Sequence, residues 1–197
     1  MISKQNYRIW IKSLFDVSTA LFLAFVLSPL FVLIIMLRRF SDQHPIFFFQ
    51  KRATINGEAF IIYKFCTMVE DEQGNMIYTR FGKWLRQSSI DEIPQLLNVL
   101  RGEMSLVGPR PLPIEYALNY STLQRKRLEV KAGVTGLAQI HGRNRLAWSK
   151  RFQFDALYVD QMDLWLDLKI LMSTIKICLT GNGVVPGFNT APGEEII

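Results

Sequence analysis

The chain has 197 residues, enough for one modest domain beside a membrane segment, and it carries a formal net charge of +6 at pH 7. This excess favours anionic partners such as lipid head groups, phosphorylated substrates or nucleic acid, and composition alone does not choose among them. The two cysteines, Cys66 and Cys178, are too few for a disulfide framework and have no close Cys or His at metal-ligand spacing. We therefore expect free thiols in the cytosol.

The first element is an apolar segment, because no residue from Val17 to Leu37 carries a charge. At about 1.5 Å per residue, a straight helix of this length covers the roughly 30 Å hydrocarbon core of a bilayer. Pro29 at its middle removes a backbone N–H, and Ser28 before it suits the N-cap of a new helix. Basic residues flank both ends, namely Arg8, Lys12, Arg38 and Arg39. Two alternatives stay open: a hairpin that enters and leaves by the cytoplasmic face, and a spanning helix with a proline kink.

Short elements follow the apolar segment. Apolar and aromatic runs flank Asn56-Gly57, the strongest short signal for a β-hairpin. The stretch TRFGKWLRQSS predicts a basic helix whose tryptophan suits either a membrane surface or an ordinary solvated face. MSLV predicts a short strand, and the glycine-rich KAGVTGLAQIHGRN contains another. Residues 156–179 are predicted to form one long amphipathic helix. Lys12 and Asp16, four residues apart, are expected to pair on one helix face.

Two adjacent acids, Asp91 and Glu92, lie where IDEIPQLLNVLRG is predicted to begin a helix. Ser88 and Ser89 stand three residues earlier, at the spacing of a capping box, so a capped helix start is one interpretation. Pro94 agrees with it, because proline is tolerated in a first helical turn.

The other interpretation is chemical. Arg86 precedes the acids, and Arg110 is held between two prolines in GPRP, which presets a guanidinium fork suited to phosphate. A carboxylate pair with arginines is suited to phosphoryl transfer. One acid can hold Mg²⁺ or attack phosphorus, another can move a proton, and cations can stabilise the oxygens.

Five stretches, LSP, YKFCTM, TRFGKWLRQSSIDEIPQLLNVLRGEMSLVGPRPL, GVTGLAQIHGRN and WLDLKI, together resemble the monotopic phosphoglycosyl transferases. These bacterial sugar transferases start glycoconjugate assembly on polyprenol phosphate, and the resemblance is to the small, catalytic-domain-only type. It implies an α+β fold in three parts. Residues 1–40 would form a re-entrant helix-break-helix membrane hairpin, broken at Ser28-Pro29. Residues 41–180 would form a compact cytoplasmic domain of amphipathic helices around a small β-sheet, and residues 181–197 a C-terminal tail.

The same resemblance implies an enzyme on the cytoplasmic face of the bacterial inner membrane. It would move a sugar-1-phosphate from a UDP-sugar donor to a polyprenol phosphate acceptor in the bilayer, releasing UMP in the first membrane step of exopolysaccharide or other glycoconjugate biosynthesis. Asp91 is implied to be the nucleophile, which forms an aspartyl-phosphosugar intermediate, and the ligand of a Mg²⁺ cofactor. Glu92 is implied to assist proton transfer. The other implied site residues are the phosphate-binding Arg86 and Arg110 and the substrate-binding or supporting Lys64 and Asp155.

The chain departs from the family pattern at a few loop positions. Cys66 stands in place of an expected Arg or Lys, Ala53-Thr54 in place of Pro-Gly, Ala132 in place of Pro, and His141 in place of Asn or Ser. These positions leave the identity of the sugar open, and the sequence as a whole leaves the oligomeric state open. The competing interpretation is a non-catalytic membrane adaptor that binds anionic lipid or a partner protein. Nucleic-acid binding is disfavoured, since we find no helix-turn-helix or stacking-platform signature.

Overall fold

The computed structural model describes residues 10–41, 45–142 and 146–180. Its α-helices are α1 (Lys12–Ser41), α2 (Arg80–Gln87), α3 (Leu96–Leu100), α4 (Ile114–Ala117), α5 (Thr122–Arg125), α6 (Leu137–Ile140), α7 (Trp148–Gln161) and α8 (Leu164–Thr180). Its strands are β1 (Phe47–Ala53), β2 (Ala59–Phe65), β3 (Met68–Glu70), β4 (Met76–Tyr78), β5 (Ser105–Val107) and β6 (Gly133–Thr135). Short 3₁₀ helices cover Ile55–Gly57, Ile90–Gln95 and Lys126–Glu129. The predicted mixture of helices and small sheets is confirmed. The predicted tail, residues 181–197, and Arg8 lie outside the described residues.

The strands pair two by two instead of forming the single small sheet that was predicted. In the described part of the chain, β1 pairs with β2 and β3 with β4 in antiparallel register, and β5 pairs with β6 in parallel. The hairpin predicted around Asn56-Gly57 is confirmed. Both residues have positive φ angles, +57° and +76°, which is the conformation that this dipeptide adopts readily.

Helix α1 runs without interruption through Pro29, so two separate helical segments are not confirmed. Pro29 has no N–H for the carbonyl of Phe25, and the hydroxyl of Ser28 donates to that carbonyl instead at 2.7 Å. Ser28 therefore satisfies a carbonyl that the proline leaves without a donor, and it does not serve as the N-cap of a new helix. The segment Lys12–Phe40 is long and apolar enough to cross a membrane.

One face of α1 packs on the rest of the protein along its whole length. Near its start, Lys12 binds Asp167 at 2.5 Å and Asp16 at 3.7 Å, so the predicted pair of Lys12 and Asp16 is confirmed. Asp16 also accepts from the backbone N–H of Leu106 at 3.2 Å. Towards the end of the helix, Ile34 belongs to a buried cluster with Phe65 and Leu85. The opposite face exposes large apolar side chains, including Leu21, Phe22, Phe25, Leu33, Met36 and Phe40.

The long helix predicted over residues 156–179 is wrong. The structure has two helices, α7 and α8, separated at Met162-Asp163. The backbone at Met162 is extended, with ψ at 126°, and its side chain is buried. The carboxylate of Asp163 accepts from the backbone N–H of Leu166 at 2.7 Å, which starts the second helix as an N-cap does. The chain therefore turns at a position that contains neither glycine nor proline.

Strands β5 and β6 approach closely through glycine. A Cβ atom on Gly133 would lie 2.1 Å from the backbone nitrogen of Gly108, and one on Gly108 would lie 2.5 Å from the carbonyl oxygen of Lys131. No side chain fits in either place. The two strands enter the main core, which also contains residues of α1, α3, α7 and α8. This core fixes the segment after β5 that carries Arg110.

Candidate active site

The acidic pair lies on the 3₁₀ helix Ile90–Gln95, directly after a sharp change of chain direction. Ser89 has a φ of +59°, a left-handed conformation that is uncommon for a residue other than glycine. The predicted capping box is wrong. The hydroxyl of Ser88 donates to the carbonyls of Trp84 and Leu85 in helix α2, and Ser89 makes no side-chain cap hydrogen bond. The backbone turn itself therefore places Asp91, which is 6% exposed.

Glu92 is held by two cations from distant parts of the chain. Its Oε1 atom accepts from Nζ of Lys64 on β2 at 2.5 Å and from Nη2 of Arg110 at 2.9 Å. Burial alone would raise the pKa of Glu92, but Arg110 and Lys64 more than offset this effect and hold the pKa well below its ordinary range. Glu92 is therefore an anion while these two cations bind it, and it fixes both of them next to Asp91.

Asp91 has the opposite environment. Its carboxylate makes no hydrogen bond or ion pair with any residue in the described ranges. Burial and then the charge of Glu92 raise the pKa of Asp91 to about 6, against the lowering effects of Lys64, Arg86 and Arg110. At pH 7 about nine-tenths of the side chains are nonetheless ionised.

The segment Pro109–Pro111 is fixed by its carbonyl groups, because its two prolines have no N–H to donate. The Pro109 carbonyl accepts from the N–H of Gly133 at 2.9 Å. The Arg110 carbonyl accepts from the guanidinium of Arg127, and the Pro111 carbonyl from that of Arg52 at 3.4 Å. Three contacts thus immobilise the backbone on either side of Arg110. The prediction of a stiffly held arginine is confirmed.

Six site residues were predicted, namely the two acids, three cations and Asp155. The structure brings the acids and the cations together. Arg86 stacks on the ring of Tyr78 at 5.2 Å and makes no ion pair with either acid, but it lies near enough for its charge to lower the pKa of Asp91. Asp155 lies elsewhere. It is 3% exposed and pairs with Arg127 at 3.0 Å, behind the Pro109–Pro111 segment. Asp155 therefore supports Arg110 through Arg127 and has no direct contact with the acids.

Comparison with known proteins is consistent with this arrangement. Residues 7–181 match the family described as bacterial sugar transferase. The chain belongs to this family. It is 44% identical to the uncharacterized sugar transferase EpsL of Bacillus subtilis, over 88% of this chain and 90% of that protein. It is also 38% identical to the exopolysaccharide production protein ExoY of Rhizobium meliloti, over 86% of each chain.

A longer relative is the UDP-glucose:undecaprenyl-phosphate glucose-1-phosphate transferase of Xanthomonas campestris pv. campestris, 37% identical over 88% of this chain. The chain described here spans only 40% of the length of that protein.

Sequence reasoning missed the residues that hold the site of this sugar transferase in place. Arg127 is one basic residue in the run RKRLEVK, and nothing in its spacing separates it from its neighbours. The structure buries it against Tyr120 and Phe152, with the guanidinium over both rings. Asn98 is fully buried, and its amide nitrogen donates a hydrogen bond to the carbonyl of Ile61 at 2.7 Å. This bond joins α3 to β2. A polar residue inside an apolar helical repeat was the available signal for Asn98.

The residues fit a magnesium ion only in part. In the part of the chain that the structure describes, no three acidic, histidine or cysteine side chains come close enough to hold a metal ion. Both cations that bind Glu92 share its Oε1 atom, and Asp91 is left as the free carboxylate. Mg²⁺ usually keeps several waters and binds through one or two carboxylates together with substrate phosphates. Asp91 would serve as such a single ligand.

Proposed function

We propose that this sugar transferase moves a sugar-1-phosphate from a UDP-sugar to polyprenol phosphate through a covalent bond to Asp91. The observation that carries the proposal is the contrast within the acidic pair. Glu92 is bound by two cations, whereas Asp91 is buried beside it with no partner among the described residues. An unpartnered carboxylate beside fixed cations is what a nucleophile for phosphorus needs.

In the first step, a carboxylate oxygen of Asp91 forms a bond to the β-phosphorus of the donor. The bond from that phosphorus to the bridging oxygen breaks, and UMP leaves with the electron pair. Lys64, Arg86 and Arg110 stabilise the charge on the phosphate oxygens. In the second step, an oxygen of polyprenol phosphate attacks the same phosphorus, and the bond to Asp91 breaks. The two substrates can use one small cleft in turn.

Glu92 can take part in proton transfer only when Lys64 and Arg110 bind it less tightly. While Lys64 and Arg110 bind it, its pKa is too low for a base. Donor phosphates compete for the same two cations, and a weaker hold on Glu92 raises its pKa. We propose Mg²⁺ as the cofactor, held by Asp91, where it would neutralise charge on the substrate phosphates.

We further propose that helix α1 enters and leaves the membrane by the cytoplasmic face. Both ends of the helix contact the same folded domain: Lys12 binds Asp167, and Ile34 lies in a buried cluster with Phe65 and Leu85. A spanning helix would carry these ends to opposite sides of the bilayer. The exposed face of α1 instead faces lipid, which keeps Asp91 near the interface where both substrates arrive.

UMP release from purified protein with Mg²⁺ and a panel of UDP-sugars tests the enzyme. We expect Asp91→Asn to abolish UMP release and Asp160→Asn, a matched change at an exposed acid, to preserve it. Intact mass after reaction with donor alone should show a sugar-phosphate adduct on the wild-type protein. Turnover by the Asp91→Asn variant would remove Asp91 from its role, and an adaptor would release no UMP at all.

Cysteine labelling tests the topology. Single cysteines replace Ser13 and Arg39, which flank the apolar run, in a chain where Cys66 and Cys178 are changed to serine. A membrane-impermeant maleimide should label both positions in inverted vesicles and neither in intact spheroplasts. Labelling of one position from each side would refute the hairpin and leave the enzymatic proposal standing.

A further inference from the structure

A cleft beside Asp91 is lined by a third cation in addition to the two that bind Glu92. It opens between β2, the 3₁₀ helix of the acids and the Pro109–Pro111 segment. Its lining residues are Arg52, Ile62, Lys64, Gln95, Arg110 and Pro111. Among the carboxylates of the described residues, only Glu92 lies within ion-pair distance of its cations, and it pairs with Lys64 and Arg110. Arg52 is the third cation and has no such partner.

Arg52 lies at the end of β1 in an environment that disfavours a positive charge. Its guanidinium donates to the carbonyl of Pro111 and the side chain of Gln50, and its buried Nε–H has no partner. Burial and then the charge of Arg110 lower the pKa of Arg52 to about 10. Two arginines side by side in a partly buried cleft repel each other unless an anion lies between them.

Gln95 supplies a second unused donor to the same cleft. It is 2% exposed, and the nitrogen of its amide group makes no hydrogen bond in the described structure. A buried donor without a partner costs about 1–3 kcal/mol, so such groups are rare and call for an explanation. Both unused groups, the Nε–H of Arg52 and the amide nitrogen of Gln95, are donors on residues that line the cleft. A ligand that satisfies them must bring acceptors and negative charge.

We propose that Arg52 and Gln95, together with Lys64 and Arg110, form a second anion subsite that holds a phosphate group next to the phosphorus attacked by Asp91. This inference rests on the proposed function and names residues that the acidic pair and its cations do not include. Either substrate brings a second phosphate: the donor its nucleotide-side phosphate, the acceptor its terminal phosphate. Each presents the tetrahedral oxyanion that a guanidinium and an amide N–H bind well.

Three variants test the subsite in the full-length protein. Arg52→Gln removes the cation, and Gln95→Glu keeps the size of the side chain but adds a repelling charge. Lys51→Gln is the control, because the exposed Lys51 precedes Arg52 on β1 and its side chain points to the opposite face. The measurements are the KM for each substrate, kcat, the melting temperature, and the equilibrium binding of UMP and inorganic phosphate.

We expect Arg52→Gln and Gln95→Glu to raise the KM for one substrate at least tenfold while kcat changes less than threefold, and Lys51→Gln to match the wild type. A higher donor KM with weaker UMP binding assigns the subsite to the donor. A higher acceptor KM with unchanged UMP binding assigns it to the acceptor. If Arg52→Gln fails to fold, Gln95→Glu decides.

Two results would overturn the subsite. One is a lower melting temperature or a lower kcat with both KM values unchanged, which indicates a structural role for these side chains. The other is inorganic phosphate binding that neither variant weakens. A wild-type protein that releases no UMP from any UDP-sugar would instead defeat the proposed function, and the phosphate-binding comparison would then judge the subsite alone.

Discussion

The pH dependence of UMP release tests the environment of Asp91 directly. Burial and Glu92 raise the pKa of Asp91 from its ordinary 3.8 to about 6, a preference for the neutral form of about 3 kcal/mol. In the proposed mechanism, only the ionised carboxylate of Asp91 attacks phosphorus. While no Mg²⁺ binds this carboxylate, its ionised fraction falls about tenfold between pH 7 and pH 5, so single-turnover UMP release at limiting Mg²⁺ should fall by the same factor. Both phosphates of a UDP-sugar are esterified and do not titrate near neutral pH, so the protein is responsible for this change.

Changing Glu92 to Gln should move this acid limb to lower pH. The substitution removes the carboxylate that raises the pKa of Asp91 and frees Lys64 and Arg110, which lower it. We expect a downward shift of one pH unit or more. Rapid-quench measurement of UMP with donor alone, from pH 4.5 to 8, reports the limb without the acceptor step. Glu72→Gln, at an exposed turn, is the control and should leave the limb in place.

Two outcomes would refute the reasoning. Wild-type release that stays constant from pH 7 to pH 5 would show that the pKa of Asp91 is not raised. A Glu92→Gln limb that stays fixed, or moves to higher pH, would show that Glu92 does not set it. Circular dichroism at each pH separates loss of the ionised carboxylate from loss of the fold.

Stability gives three further predictions, each measured as a melting temperature in detergent. Because the folded protein raises the pKa of Asp91, stability falls as pH rises from about 4 to 6; Asp91→Asn removes this cost and should stabilise the inactive protein by up to about 3 kcal/mol at pH 7.5. Burial also raises the pKa of Asp155 to about 6 despite its pair with Arg127, and Arg127 keeps Tyr120 and the Arg110 carbonyl as partners, so Asp155→Asn should leave the melting temperature at pH 7.5 unchanged or higher. Lys12→Met should destabilise by about 3–5 kcal/mol by leaving Asp167 buried without its cation, and adding Asp167→Asn should restore part of the loss.

The parts of the fold that sequence predicted are those decided by local chemistry. Asn56-Gly57 sets a hairpin because both residues accept positive φ, and this preference is independent of the rest of the chain. The predicted capping box was also inferred from local sequence, but the hydrogen bonds that form at Ser88 and Ser89 depend on the surrounding structure. At Ser89 the chain adopts a left-handed turn that the surrounding structure imposes, and the turn takes both serines away from the N–H groups they would cap.

The site divides in the same way. Asp91, Glu92, Arg86 and Arg110 lie in one stretch of sequence, so a recognisable motif includes them all. The groups that fix Arg110 come from elsewhere: Arg127 follows it by 17 residues, and the carboxylate that pairs with Arg127 lies on helix α7. No periodicity or spacing links these positions, because the contact exists only once β5 and β6 are packed. Burial in the folded chain is the property that distinguishes Arg127 from its exposed basic neighbours.

Helix α1 shows why an apolar run alone does not decide topology. Its length and hydropathy permit a crossing, and its composition is nearly the same for a hairpin. The informative residues are the charged ones on its inner face. Lys12 is fully engaged by Asp167, 155 residues away, and Arg38 is 1% exposed. Such charges are costly in hydrocarbon and are stable here because the folded domain solvates them. A helix that binds its own domain at both ends would have to break one of those contacts to pass through the bilayer, so the proposed hairpin rests on these contacts and not on the apolar residues between them.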